Sequence, residues 1–473
     1  MMLSEAEFKR TFSLTIYKNL KLKLSEMSFF KDFVGDTRGD LYPLLDRSDD
    51  CRESVAHNVY SLYRGKVKRL FCSFFPYASY EISASTGEGS AGFSFIIPGI
   101  EAIIEVGDGF LKYSCSETAR ELVLPEYIGD EITMTVTCRP GAFDIYFLNN
   151  GKAEFFTTFD EAAFSDSNLE SVFRGGKVAL CVCGCAHVRS VCSYIDSGVS
   201  IADMKTVRYE SGETMVECGR VYITASVRMQ TGCFQGVFSW IPGTAELALT
   251  GAIFYDAGDG RWCGDVAASV IYHRAERRWY LWVCSFSHGH ILGHAGFDGD
   301  PRFGVNVIDI TLMEKACEGA KKSEFFGFSG DEDPDFFYDE EKKRWLLAIC
   351  RIDPATRKYG YVFFESESPF DGYVYIGCGA EGAETGGSFV KVDGELCFLC
   401  GNDFHAVSDY RIYTKDGICG ARFDYPDGGF RGWGTLVPVK MGSRTRYFWI
   451  TFDRHKGSDY NWSYGNLYCF EAE

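Results

Sequence analysis

A unit of two strands joined by a short turn recurs five times in the C-terminal part of the chain. Each copy has an apolar stretch, a charged or glycine-containing turn, and a second stretch rich in aromatic and β-branched residues. The copies are MVECGRVYITAS from Met215, ASVIYHRAERRWYLWVCSF from Ala268, DFFYDEEKKRWLLAIC from Asp335, GSFVKVDGELCFLC from Gly387 and TLVPVKMGSRTRYFWITF from Thr435. Their spacing of roughly 50 to 65 residues is typical of radial or solenoidal arrays. Because the unit is a hairpin, the repeat predicts a five-bladed β-propeller over residues 201–473.

A second region rich in strands precedes the repeat. The run TMTVTCRPGAFDIYFLNNGK from Thr133 alternates polar and apolar residues around Pro-Gly and Asn-Gly turns. It resembles the strands of concanavalin-like jelly rolls, so residues 1–200 are predicted to form a β-sandwich. The S-x-x-E box of Ser4 and Glu7 predicts a short helix that ends at about Tyr17 in this domain. The expected fold class is therefore all-β, with a jelly-roll-like sandwich followed by the propeller.

The composition argues against several classes of partner. A net charge of -18 over 473 residues disfavours nucleic acid and anionic membranes, because both attract basic patches. The first residues, MMLSEAEFKRTFSLTIYKNL, lack the apolar region of a secretory signal, and we expect a cytoplasmic protein. The 19 cysteines are odd in number and lie mostly in strand-like runs, which favours reduced thiols over a disulfide framework. Their spacing fits no zinc site, so we expect neither metal nor cofactor.

Four motifs follow one another in the repeat region in an order known from one enzyme family. LALTGAIF from Leu247 is similar to the close of that family's first blade, and GRWCGDV from Gly260 is similar to its G-x-W-A-P-D-V. DPDFFYD from Asp333 is similar to D-P-x-x-F-x-D, and ETGG from Glu384 to the E-G-P that precedes a Y-K-x-x-G strand. Over about residues 205–473 the chain thus resembles glycoside hydrolase family 43 and its propeller relatives.

The resemblance implies cleavage of arabinose-, xylose- or fructose-containing oligosaccharides by carboxylates at the propeller axis. In such sites one carboxyl group protonates the leaving oxygen, another activates water, and a third tunes the acid. By position, Glu384 would be the general acid, with Glu381 as its rival. Asp333 would be the carboxylate that tunes the pKa of the acid, and Asp265 a supporting residue.

The general base is the point at which the sequence departs from the family pattern. The family has an Asp ahead of its first strand, and alignment of MVECGRVYIT with that strand puts Gly212 at this position. Glu213 lies beside it and Glu210 is near, so either of these glutamates or Asp265 could serve as the base, or the base could be missing. A protein without the base would bind sugar and not hydrolyse it. A propeller that serves as a platform for protein interactions is a further alternative.

Aromatic residues in loops are candidates for sugar binding. Trp262 and Trp433 lie between predicted strands, where an indole ring can stack on the apolar face of a sugar. Arg431 and His288 are candidate hydrogen-bond donors to hydroxyl groups. His288, His290 and His294 have a spacing that matches no standard zinc site, so this histidine-rich segment is predicted to be a loop over the cleft.

Overall fold

The computed structural model describes residues 7–27, 44–313, 331–352, 359–379, 384–402, 410–423, 434–452 and 466–472. Its strands, numbered β1 to β38 along the chain, form two compact units. One unit comprises Lys21–Asp196 and Gly260–Trp262, and the other comprises the segment up to Leu20, Ser197–Asp259 and the chain from Cys263 onward. Within the described ranges, no helix is long and apolar enough to cross a membrane.

The segment predicted to be an N-terminal helix is a strand. Strand β1 (Glu7–Thr15) pairs antiparallel with β38 (Asn466–Ala472) and parallel with β35 (Gly417–Phe423). Pairing with the far end of the chain overrides the local helix signal, since propensity is weaker than tertiary context. Although residues 1–200 were predicted as one domain, this strand belongs to the unit that contains the repeats.

The first unit is the predicted β-sandwich, built from two antiparallel sheets. The first sheet has the order β11-β10-β9-β8-β15-β6-β3, and the second has the order β14-β13-β12-β7-β16-β5-β4, with β2 also paired to β16. The strands are β2 (Lys21–Met27), β3 (Leu44–Arg47), β4 (Arg52–Ala56), β5 (Val59–Arg64), β6 (Lys66–Ser73), β7 (Ser79–Ser85), β8 (Ser90–Ile97), β9 (Ile100–Gly107), β10 (Phe110–Cys115), β11 (Thr118–Val123), β12 (Glu131–Arg139), β13 (Ala142–Asn149), β14 (Lys152–Asp160), β15 (Lys177–Cys183) and β16 (Ala186–Asp196).

One hydrophobic core lies between these two sheets. Phe93 and Phe95 of β8 point inward from the first sheet, and Phe143 and Ile145 of β13 point inward from the second. The rings of Phe95 and Phe143 meet at 5.1 Å between centroids. A 3-10 helix (Ala162–Phe164) and the short helix α1 (Glu170–Phe173) connect β14 to β15. On β12 and β13 every second residue enters this core, as the alternation in the sequence predicted for these two strands.

The second unit is a five-bladed propeller with four main strands in each blade. Blade I contains β17 (Ser200–Thr206), β20 (Arg220–Arg228), β21 (Cys233–Trp240) and β22 (Leu247–Asp256), and the short strand β19 (Val216–Glu217) and strand β26 (Gly304–Asp309) extend its sheet. Blade II contains β23 (Val266–His273), β24 (Arg278–Ser285), β25 (Ile291–Phe297) and β27 (Thr311–Leu312), and the short strand β18 (Arg208–Tyr209) extends its sheet. Blade III contains β28 (Asp331–Asp339), β29 (Arg344–Ile352), β30 (Tyr359–Ser366) and β31 (Val374–Cys378). Blade IV contains β32 (Glu384–Val392), β33 (Glu395–Asn402), β34 (Tyr410–Thr414) and β35; blade V contains β36 (Thr435–Met441), β37 (Arg444–Phe452), β38 and β1. A 3-10 helix (Phe286–His288) follows β24.

Blade I begins earlier than the repeat suggested. Its first strand is β17, whereas the predicted first strand, MVECGRVYIT, corresponds to β19 and β20. The connection from β17 to β20 is long because β18 leaves blade I and pairs with β23 of blade II. The hairpin spacing that marks the other repeats is therefore lost in this blade.

The first strands of blades I to IV share a bulge at one position. Two residues on each strand stand without a partner on the next strand, and the first of them has a positive φ: Asp203 (52°), Ala267 (58°), Asp333 (46°) and Gly386 (62°). A bulge bends its strand and changes the direction of a side chain. Positive φ is unusual in residues other than glycine and marks local strain, which is often found at functional sites.

A buried ion pair joins the blades beneath these bulges. Arg208 donates to both carboxylate oxygens of Asp335 at 2.9 and 2.8 Å, and also to the carbonyl oxygens of Phe336 and Phe389. Asp335 in turn accepts hydrogen bonds from the Ser269 hydroxyl and the Phe389 amide. The two charged side chains are 4% and 0% exposed. Strands from blades II, III and IV are thereby held together at one point.

This ion pair is expected to be essential for the stability of the propeller. Asp335→Asn leaves the Arg208 guanidinium without a counter-charge in the interior, a loss that typically costs about 3–5 kcal/mol. Urea denaturation should report it as a drop in the free energy of unfolding. The double variant Arg208→Met/Asp335→Leu should lose less, because no unpaired charge remains; a loss below about 1 kcal/mol in Asp335→Asn would contradict this role.

Candidate active site

Two aspartates from different blades lie at the same level of the propeller. Asp203 and Asp333 are the bulge residues of β17 and β28, and both are nearly buried, at 6% and 7% exposed. Asp333 Oδ2 accepts a hydrogen bond from Thr385 Oγ1 at 2.8 Å and from the Gly386 amide at 3.1 Å. Asp203 Oδ2 lies 3.4 Å from an Arg228 guanidinium nitrogen. Blades I, III and IV thus each contribute polar groups to this end of the first strands.

The first strands run in the same direction, which places their N-terminal ends together. On β28, Asp333 contacts Thr385 near the start of β32. Asp335, two residues after Asp333, contacts Phe389, which is four residues after Thr385. Lys205, two residues after Asp203, donates to the Gly387 carbonyl oxygen at 2.6 Å. The contacts advance together along the three strands. Residues at the starts of these strands therefore share one end of the axis.

The carboxyl groups at this end perturb one another. Burial and the neighbouring Asp333 raise the pKa of Asp203 to about 6, against the opposing effect of Arg228. Burial, followed by Asp333 and Asp203, raises the pKa of Glu332 to about 8. Like charges in a poorly solvated site disfavour the ionised form, which explains both directions. Two carboxyl groups with different raised pKa values are the arrangement that acid–base chemistry at neutral pH requires.

Asp265, immediately before β23, holds a turn of blade II. Its Oδ2 accepts a hydrogen bond from Ser285 Oγ at 2.7 Å and its Oδ1 accepts one from the Ser287 amide at 3.0 Å. Ser285 Oγ also lies 2.8 Å from His288 Nδ1. Asp265 is 1% exposed, so its visible role is to fix the turn that carries His288.

Glu384, the predicted general acid, is enclosed within the propeller. Its Oε1 accepts hydrogen bonds from Arg411 at 3.0 Å and from the Tyr413 hydroxyl, both on the third strand of blade IV. Its side chain is 0% exposed, and Oε2 has no hydrogen-bond partner within the described residues. A Cβ atom on Gly379 would lie 2.4 Å from Oε2, so only glycine leaves room for the carboxylate here. Burial raises the pKa of Glu384, and the bonds from Tyr413 and Arg411 oppose it.

Glu213 lies at the other end of the first strands. It is exposed, forms an ion pair with Arg274 at 3.3 Å, and lines a cavity of about 760 Å³ together with Glu340 and Asp393. Glu340 follows the C-terminal end of β28. At the rise per residue of an extended strand, the stretch from Asp333 to Glu340 is roughly 20 Å long. The structure therefore does not bring Glu213 together with Asp333.

Gly212, placed by the alignment at the position of the family's general base, could not be replaced by an aspartate. A Cβ atom added there would lie 2.2 Å from the Phe337 ring, and its φ is 82°.

The predicted sugar-binding residues have different outcomes. Trp262 belongs to the sandwich unit, where its ring contacts Phe173 at 4.4 Å and Phe75 at 6.1 Å between centroids. It therefore serves the packing of that unit. Arg431, Trp433 and the rival acid Glu381 lie outside the described residues.

Sequence reasoning missed Asp203 and Glu332. Asp203 lies 17 residues before the start of β20 at Arg220, whereas Asp333 lies 11 residues before the start of β29 at Arg344, so the longer connection hid the match. The signal was present as an Asp followed by a strand, in ADMKTV, without the proline that marks Asp333. Glu332 was overlooked because the Asp-Pro beside it attracted the assignment.

No group of three or more His, Cys, Asp or Glu side chains in the described part of the chain could hold a metal ion. The cysteines there are all free thiols, and Cys181, Cys397 and Cys400 are buried within strands. Burial raises the pKa of the Cys397 thiol to about 11, which keeps it protonated and unreactive at neutral pH.

Comparison with known proteins finds likenesses in structure only. No protein-family profile matches the chain, and no curated protein matches its sequence. Among solved structures, the catalytic domain of a GH62 α-L-arabinofuranosidase from Coprinopsis cinerea is similar at 13% identity and a TM-score of 0.38, covering 58% of this chain and 91% of that one. A GH43 β-1,3-galactosidase is similar at 11% identity and a TM-score of 0.38, covering 57% and 93%.

A further similar structure is the carbohydrate-binding module CBM66 from Bacillus subtilis. It matches at 12% identity and a TM-score of 0.25, covering 32% of this chain and 94% of the module. With identities and TM-scores this low, none of these likenesses bears on activity.

The raised pKa values predict that stability falls as pH rises. Each of Asp203 and Glu332 has a folded-state pKa above its ordinary value, so its contribution is complete below about pH 4 and is lost as pH rises through about 6 and about 8. Urea denaturation across this range should show a steeper fall for the wild type than for Asp203→Asn/Glu332→Gln. The exposed Glu341→Gln should follow the wild type. Parallel curves for wild type and double variant would contradict the assignment.

Proposed function

We propose that the propeller unit hydrolyses glycosidic bonds in arabinose-, xylose- or fructose-containing oligosaccharides, with Asp203 and Asp333 as catalytic carboxylates. The observation that carries the proposal is the shared bulge, which brings an aspartate from blade I and an aspartate from blade III to one end of the axis. Glycosidases need carboxyl groups on both sides of the scissile bond. The order of family-like motifs in the sequence supports the same activity.

Asp203 is the proposed general base. It lies on the first strand of blade I, the strand near which the family resemblance places the general base, and its bulge conformation matches that of Asp333. A base whose pKa lies near 6 is ionised at neutral pH and still accepts a proton from water in the transition state. Asp333 is the proposed neighbouring carboxylate that adds to the effect of burial on this pKa, and it is held in position by Thr385 and Gly386.

A specific observation favours a second candidate, sugar binding without hydrolysis. Glu384 is enclosed within the propeller and bonded to Arg411, so the family's acid is not free to protonate a leaving group in this conformation. If no other carboxyl group replaces it, the axial site would hold a sugar and leave it intact. Calorimetry can measure the binding of oligosaccharides to the protein. Sugar binding without hydrolysis predicts a measurable affinity and no release of reducing ends.

The catalytic assignment predicts a large loss of activity in two isosteric variants. Asp203→Asn and Asp333→Asn should each lower kcat by about 10²–10⁴-fold, because the amide can neither accept the proton nor supply the charge. The measurement is release of reducing sugar from arabino-, xylo- and fructo-oligosaccharides, followed by a panel of aryl glycosides that includes galactosides. The melting temperature should stay within a few degrees of wild type.

Glu341→Gln is the matched control, since it removes an exposed carboxylate from the same blade as Asp333. It should keep wild-type activity. Full activity in Asp203→Asn would refute the assignment of the base.

A further inference from the structure

In blade IV the residue that precedes the bulge is a threonine. Thr385 precedes the bulge residue Gly386 in the same way that Glu332 precedes Asp333. Neighbouring residues on a strand point to opposite sides, and it is Thr385 whose side chain reaches Asp333. Glu384, one residue earlier, extends to Arg411 and Tyr413 instead. A site that needs a proton donor must therefore find it on another strand.

Glu332 is the carboxyl group at the equivalent position of blade III, and it is accessible. Its side chain is 18% exposed, against 0% for Glu384. Its Oε1 lies 3.4 Å from His290 Nδ1. As the counterpart of Thr385, whose hydroxyl group reaches Asp333, it lies at the same end of the axis as the two proposed catalytic aspartates.

His290 is held in place by the local backbone. Its φ is 60°, and the preceding Gly289 has a φ of 83°. Its carbonyl oxygen accepts a hydrogen bond from the Asp331 amide at 3.2 Å, and its ring contacts Phe286 at 4.1 Å between centroids. The turn after β24 is thus tied to the start of β28, and the imidazole faces the Glu332 carboxyl group.

The surroundings of Glu332 favour its protonated form. Asp331 and Asp333 flank it on its own strand. Asp203 and Arg228 face it from blade I. The buried Cys350 thiol lies opposite it on β29. From blade II it meets His290 and the buried Cys284 thiol. Arg351, paired with Asp331 at 2.6 Å, offsets that carboxylate. Burial and the two nearby aspartates outweigh Arg228, which raises the pKa of Glu332.

We infer that Glu332 is the general acid of the axial site in place of Glu384, and that His290 is a positioning residue for its carboxyl group. This inference rests on the proposed glycosidase function. Glu332 donates its proton to the glycosidic oxygen as the bond from that oxygen to the anomeric carbon breaks. Asp203 takes a proton from water, whose oxygen bonds to the same carbon. Glu332 is left ionised and Asp203 protonated, and exchange with solvent restores both.

The test compares leaving groups, because a general acid matters only where the leaving oxygen needs a proton. In Glu332→Gln, kcat/KM for phenyl glycosides and oligosaccharides should fall by at least about 10²-fold, while that for 2,4-dinitrophenyl glycosides should stay within about tenfold. The wild type is expected to lose activity above about pH 8, where Glu332 ionises, and this loss should be absent from the variant's profile on the activated substrate. Glu384→Gln should keep the leaving-group dependence of the wild type. His290→Gln should shift the alkaline limb without abolishing turnover.

The outcomes separate this inference from the proposed function. If the wild type is active, two results overturn the role of Glu332. One is an equal loss of activity on both classes of substrate in Glu332→Gln, and the other is the selective loss on unactivated substrates in Glu384→Gln. A wild type that hydrolyses nothing overturns the glycosidase proposal and the acid with it. If Glu332→Gln does not fold, Glu332→Asp should retain the alkaline limb at a reduced rate. Carboxyl-carbon NMR gives a second reading: a glutamate that titrates near pH 8 is expected, and its absence from the wild type contradicts the inference.

Discussion

The buried ion pair of Arg208 and Asp335 holds the first strands in the alignment on which the axial site depends. Asp335 lies two residues after Asp333 and accepts hydrogen bonds from blade II and blade IV, so the strand that carries Asp333 cannot slide. Lys205 has the same relation to Asp203, since its ammonium group reaches the Gly387 carbonyl oxygen. Burying such charges is costly, and the bonds of Arg208 to Asp335, Phe336 and Phe389 offset that cost, although Arg208 Nε has no partner among the described residues. The interior charges below the bulges thereby fix the carboxyl groups above them.

The bulges convert this scaffold into a candidate active site. A regular strand would point alternate side chains into the blades, whereas the bulge places Asp203 and Asp333 in a left-handed conformation at the end of the axis. Blade II has Ala267 and blade IV has Gly386 at the same position, so among the four bulges in the described residues those of blades I and III contribute a carboxylate. The site is asymmetric although the blades are built alike. Differences at one position of a repeated unit are thus sufficient to make a specific arrangement of charge.

The sequence predicted the architecture better than the site. Hairpin periodicity led to the five blades, because each unit repeats the same apolar pattern and the same turn. It failed at the N-terminus, where a helix-capping pattern in residues 4–7 could not reveal that Glu7–Thr15 would pair with strand β38, more than 450 residues away. It also failed at blade I, where the excursion of β18 to blade II lengthens the connection and conceals Asp203.

The choice of the general acid depends on a single position in a strand. Glu384 and Thr385 differ by one position, and a shift of one residue sends a side chain to the opposite face of a strand. A motif comparison cannot decide between them, whereas the bonds of Thr385 to Asp333 and of Glu384 to Arg411 can.

The most direct measurement is a crystal structure of Asp333→Asn with an intact oligosaccharide. The account predicts the scissile oxygen within hydrogen-bonding distance of Glu332 and a water between the sugar and Asp203. A sugar whose scissile oxygen contacts Glu384, or that touches neither Asp203 nor Glu332, would contradict it.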